Sequence, residues 1–143
     1  MTDLLDLYQC AEESSIDVDW FPMSRASSLS APLPDGSCCV AIDPWKMDTI
    51  AQETVCLAHE LGHCNTGSFY NRWAARDVRQ KHENRADKWA IKKLVPKDEL
   101  DEAVSNGYTD LWSLADYFGV TVDFMKKAVC LYTYGNLSTD LYF

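Results

Sequence analysis

Two histidines, His59 and His63, stand four residues apart in the stretch "CLAHELGHCN" (residues 56–65), and Glu60 directly follows the first. On a helix, residues four apart differ by about 40° in azimuth and one turn in height, so both imidazoles can hold one cation. Glu60 lies ~100° round from His59. It is near enough to take a proton from a water activated by the ion, yet turned too far to be a ligand itself. That division of labour is the physical content of His-Glu-x-x-His, the pattern of a metal-assisted hydrolase. The chain has only three histidines, and two of them occupy the pattern.

A catalytic zinc takes three protein ligands and keeps one position open. After His63 the chain reads "CNTGSFYNRWAA", with no further histidine behind a short glycine-containing spacer. The next histidine, His82, is followed at once by Glu83. In a second predicted helix, Glu83, Asp87, Ala90 and Leu94 share a face. Glu83 is the expected third ligand. Asp87, one turn on, is placed to accept a hydrogen bond from a ligand imidazole and fix its tautomer. His82, Cys56 and Cys64 are rivals for the ligand position, and His82 and Tyr70 are candidates to stabilise an oxyanion. Histidine and glutamate ligands suit zinc, with manganese as the alternative.

The elements that must carry these groups are marked along the chain. Thr49 to Gln52 matches a capping box, and Ile50, Thr54, Leu57, Ala58 and Leu61 mark one apolar stripe of a helix. The helix should stop near Asn65-Thr66-Gly67. Gly62 inside it is either a tolerated helix glycine or a place where another backbone can approach the site closely; separately, the small Ala86 and Ala90 would permit close packing of the two helices. The second helix runs from about Val78 to Leu94 and is ended by Pro96. Upstream, "TDLLDLYQCAEE" reads as a short amphipathic helix. "SIDVDWFPM" alternates like a half-buried strand, and the Asp35-Gly36 turn leads into "CCVAIDP" as a returning strand. A small antiparallel sheet over residues 16–43 is therefore expected. The tail, 98–134, reads as two or three short helices broken at Gly107 and Gly119. Residues 1–143 are thus expected to form a single α+β domain: an N-terminal helix (1–14), the sheet (16–43), the metal-site helices (48–96) and the helical tail (98–134).

Composition narrows the class. Hydrophobic content of 47% and charged content of 24% are those of a folded globular chain, and no apolar run reaches the ~18 residues of a membrane span. The acidic start "MTDLLDLYQCAEESS" shows no secretory signal, so a cytoplasmic location is expected. The six cysteines form no Cys-x-x-Cys pair and read as idle thiols in a reducing compartment. Net charge is −9, yet residues 72–97 carry nine Lys/Arg against three Asp/Glu. The remainder carries four against nineteen, a balance that disfavours nucleic acid and favours a basic partner. "LADYFGVTVDFM" has the rhythm of a helix-turn-helix, with Thr121 as N-cap of its second helix. Asp110, Asp116 and Asp123 argue against phosphate contact there, and a packing hairpin is expected instead.

"LAHELGHC" followed by "HENRADKWAIKKLVP" resembles the ImmA/IrrE family of metallopeptidases, found in bacteria, phages and mobile elements. The second stretch is similar to that family's Glu-x-x-Ala-x-x-Phe-Ala-x-x-Leu-x-Pro run, with Trp89 at the aromatic position, and "VAIDPW" resembles the strand before the metal helix. The likeness covers about residues 15–130. Asp87 departs from it, standing where asparagine is common. The resemblance implies a zincin-like helical core with zinc on His59, His63 and Glu83 and with Glu60 as general base. It also implies an intracellular substrate of the helix-turn-helix repressor type. The expected function is accordingly a zinc endopeptidase acting on such a repressor. The alternative is a non-catalytic, metal-containing regulator that binds a repressor or serves in a toxin–antitoxin-like system. No direct nucleic-acid or membrane binding is expected.

Overall fold

In the computed structural model, which describes residues 1–137, a small sheet and six helices form an α+β fold. Helix α1 spans Leu4–Glu13 and opens on a capping box between Asp3 and Asp6. Strands β1 (Asp17–Trp20), β2 (Ser28–Pro32) and β3 (Cys38–Ile42) follow, then a single 3-10 turn at Pro44–Lys46. Helices α2 (Ile50–Thr66) and α3 (Arg76–Leu94) carry the motif residues. Helices α4 (Lys97–Ser105), α5 (Leu111–Phe118) and α6 (Val122–Tyr134) complete the fold. Among the described residues no helix is long and apolar enough to cross a membrane.

The expected antiparallel sheet is corrected to a mixed one of order β1-β3-β2. β2 and β3 form the antiparallel hairpin that Asp35-Gly36 predicts, with Ser30 opposite Val40. β1, however, runs parallel to β3, with Val18 opposite Val40. The cause is the connection through residues 21–27. Its start is tied to the end of β3 by Phe21 N–H to Ile42 O, and its end by Asp43 N–H to Ser27 O. It steps over β3, a distance of ~10 Å for two strand spacings, so the chain returns on the far side. β3, the most apolar strand, thereby takes the centre, and Cys38, Val40 and Ile42 are buried against the helices.

α2 begins at Thr49, whose side chain accepts from Gln52 N–H. The Gln52 side chain closes onto the Asp48 amide instead of the Thr49 amide, one residue upstream of a reciprocal box. It ends at Gly67, where φ of +64° is the left-handed conformation that a C-terminal glycine supplies. Thr54, Leu57, Ala58 and Leu61 are buried as the stripe requires, whereas Ile50, on the first turn, is exposed. The tail forms the expected hairpin, with Asp110 and Thr121 capping α5 and α6. Leu114, Phe118, Phe124 and Met125 join the one core with Leu57, Leu61 and Ile91.

Two contacts fix α2 against its neighbours. A Cβ built on Gly62 would lie 2.5 Å from the Ala86 carbonyl oxygen, so α2 and α3 meet backbone to backbone at this point. Cys38 at the start of β3 and Cys64 near the end of α2 form a disulfide, with Cα atoms 5.8 Å apart. The reading of the cysteines as idle thiols is therefore corrected for this pair, while Cys10, Cys39 and Cys56 remain thiols. The 26-residue separation between the partners leaves no local sign of the pairing in the sequence.

Candidate metal centre

His59 and His63 project from the same face of α2, and Glu83 reaches them from α3. His59 Nε2 stands 2.7 Å from Glu83 Oε2. His63 Nε2 stands 3.3 Å from Glu83 Oε1 and 3.2 Å from His59 Nε2. Two ligand atoms held at ~2.1 Å by a tetrahedral zinc are separated by about 3.4 Å. The three side chains thus already stand at nearly the spacing that one such ion imposes, and the donor set is that of a His₂Glu site. Among the described residues they form the one group of this kind whose ligand atoms converge, all within 4.8 Å of one another.

Both imidazoles are turned by partners on their other nitrogen. Asp87 Oδ1 lies 2.7 Å from His59 Nδ1, and the Ser68 carbonyl accepts from His63 Nδ1. Each ring therefore presents Nε2 to the centre. Ser68 follows directly on the Gly67 cap, so the same turn that ends α2 delivers the acceptor. The second oxygen of Asp87 accepts from Lys127 Nζ at 3.1 Å, which brings α6 into the site. Phe69 stacks on the His63 ring with centroids 5.9 Å apart.

Charge follows from this packing. Burial opposes a charged His59, but the hydrogen bonds to Asp87 and Glu83, with the nearby carboxylates, outweigh it and push the imidazole up to about 10. His63 is raised in the same way, burial being overcome by Glu83 and Ser68. Hydrogen bonds from His59 and His63 hold Glu83 far below the usual carboxylate range. Burial works against the Asp87 anion, yet His59 and Lys127 keep its carboxyl below normal. A cation entering here must displace the His59 proton. Loading the metal-free chain with zinc at pH 8 is expected to release about one proton. Because that proton is held up to about pH 10, apparent zinc affinity should weaken as pH falls. Indicator dye in weak buffer measures the release, and zinc uptake without acidification would show that the imidazole was neutral beforehand.

Glu60, only 7% exposed, sits beside the triad with both oxygens engaged. Ser28 Oγ donates to Oε2 and Ser30 Oγ to Oε1, each at 2.7 Å. A cleft of about 500 Å³ opens over these groups, walled by β2 on one side and by Phe69 and Tyr70 on the other. A second hollow of about 430 Å³ adjoins it, sharing Ser28, His59 and Glu83 and floored by Val55, Cys56 and Phe124.

The residues singled out in the sequence divide cleanly. His59, Glu60, His63, Glu83 and Asp87 come together. Tyr70 lines the cleft and donates to Glu83 Oε1 at 2.7 Å. His82 leans against the Tyr70 ring, centroids 6.0 Å apart, and is not in the cleft wall. Of the rival ligands, Cys64 is held in the disulfide and Cys56 lines the second hollow. Ser28, Ser30, Ser68 and Lys127 were not anticipated. Only the serine pair left a trace: "SLS" puts two polar side chains on the strand face whose β3 neighbours, Val40 and Ile42, are apolar.

The family model Peptidase M78, described as the IrrE N-terminal-like domain, matches residues 12–129. The search of curated proteins returned no match.

Proposed function

The chain belongs to the IrrE N-terminal-like (Peptidase M78) family and so carries a metallopeptidase-type domain, and from that premise we propose that it is a zinc-dependent endopeptidase. His59, His63 and Glu83 would hold the ion. When bound there, zinc supplies Lewis-acid polarisation of the scissile carbonyl and makes an attacking water acidic enough to react at neutral pH. Glu60 takes the proton of that water and passes it to the departing amine. Asp87 and Ser68 keep the two Nδ1–H groups occupied, so the rings cannot turn their Nε2 atoms away. The Tyr70 hydroxyl, on the cleft wall beside Glu83, is the candidate donor to the oxyanion. The observation that carries this reading is the convergence of three ligand atoms at ion-binding spacing with a buried carboxylate alongside.

The substrate we propose is an intracellular regulatory protein of the helix-turn-helix repressor type. The support is electrostatic: the chain's net charge of −9 suits a basic partner. The purified chain should contain about one zinc per molecule. Incubated with a helix-turn-helix repressor from the same genome, it should cut that protein, and 1,10-phenanthroline should stop the reaction. Zinc bound without cleavage of that repressor would favour the non-catalytic regulator. Failure to take up any divalent metal would sink both readings.

A further inference from the structure

We infer that Ser28 and Ser30 are positioning residues that hold Glu60 by both oxygens, beside the sheet edge on which a peptidase of this kind pairs with its extended substrate. The inference rests on the peptidase reading above and deepens it. Among the described residues β2 lies at the edge of the sheet, paired with β3 alone. Ser27 O accepts from Asp43 N–H and Leu33 N–H donates to Ser37 O, so the odd-numbered residues of this hairpin turn their polar backbone groups toward β3. In an antiparallel ladder the intervening residues must then face away. The N–H and C=O groups of Ser28 and Ser30 therefore point to the open edge, where these residues line the cleft. Pro32, next in that series, has no N–H to offer, which ends the edge there.

The same two residues send their side chains to the opposite task. Alternation along a strand puts Ser28 and Ser30 on one face, and their hydroxyls grip the two oxygens of Glu60 separately. A carboxylate held at both oxygens cannot rotate about its terminal bond. An extended peptide added to the edge gains main-chain hydrogen bonds. It is thereby laid beside a base whose orientation is set by the residues it is bonded to.

The backbone and side-chain roles separate by mutation. Ser28→Ala with Ser30→Ala keeps every backbone donor and acceptor and removes both hydroxyls. On the full chain loaded with zinc, this double variant should bind zinc within about twofold of the parent and cleave with KM nearly unchanged. Its kcat should fall about thirtyfold, the scale of a misplaced reacting group. Ser28→Thr with Ser30→Thr, which restores the hydroxyls, should recover most of the rate. A second probe needs no substrate: acetohydroxamic acid, whose N–OH proton passes to the same carboxylate, should bind the alanine variant about tenfold more weakly. Unchanged kcat and unchanged hydroxamate affinity would overturn the inference, and so would a faster alanine variant, which would make the serines a restraint on the base. Hydroxamate binding that depends on the serines in a chain that cuts no peptide would uphold the clamp while removing the peptidase reading. A parent chain that takes up no zinc would overturn both.

Discussion

Glu60→Gln is expected to lower turnover by about a thousandfold while metal content stays at the parent's level. The substitution is isosteric, and the serines can rotate their hydroxyls to accept from the new amide as well as donate to its oxygen. The packing around a side chain that is only 7% exposed is thus kept, and what is lost is an atom able to receive a proton. The metal is untouched because Glu60 is not in the converging triad. Cleavage assays beside metal analysis give the two readings on one sample. A glutamine variant that cuts at the parent rate would move the base elsewhere; among the described residues the other carboxylate lining the cleft, Glu83, is itself one of the three converging groups.

The second large effect is expected from a methyl group. Gly62→Ala should weaken zinc binding at least tenfold and destabilise the chain by about 2 kcal/mol. Alanine for glycine inside an exposed helix normally stabilises by ~1 kcal/mol. Here the added carbon would meet the Ala86 carbonyl oxygen at 2.5 Å and its carbon at 3.0 Å. These are backbone atoms of another helix, which cannot swing aside as the end of a side chain can. α3 must move, and Ala86 sits between Glu83 and Asp87, so ligand and support move with it. Urea unfolding and chelator competition measure the two quantities. An alanine variant more stable than its parent, with zinc affinity intact, would mean that the helices do not touch here.

What could be read from the sequence was what is local or periodic. Thr49 and Gly67 bound α2 because caps act within a few residues, and the four-residue spacings of His59 with His63 and of Glu83 with Asp87 are properties of any helix. The hairpin at Asp35-Gly36 was legible for the same reason. The parallel pairing of β1 was not, since alternation in "SIDVDW" is blind to which strand becomes the neighbour. Ser28 meets Glu60 across 32 residues, and Lys127 meets Asp87 across 40. No periodicity spans such gaps. The Ser68 acceptor is a backbone carbonyl, which any residue would supply, so its identity carries no information at all. Cys38 and Cys64 stand apart from every familiar cysteine spacing and are joined only because β3 packs on α2.

Lys127 has a consequence for how little of this polypeptide suffices. The two stretches that carry most of the recognisable signature end at Pro96, which invites cutting the gene soon after that proline. Such a fragment would leave Asp87, with 11% of its side chain exposed, short of its only lysine partner among the described residues. It would also strip Leu114, Phe118, Phe124 and Met125 from the shared core. The smallest autonomous unit therefore extends through α6, whose end at Tyr134 lies well past Pro96, the last letter of the signature.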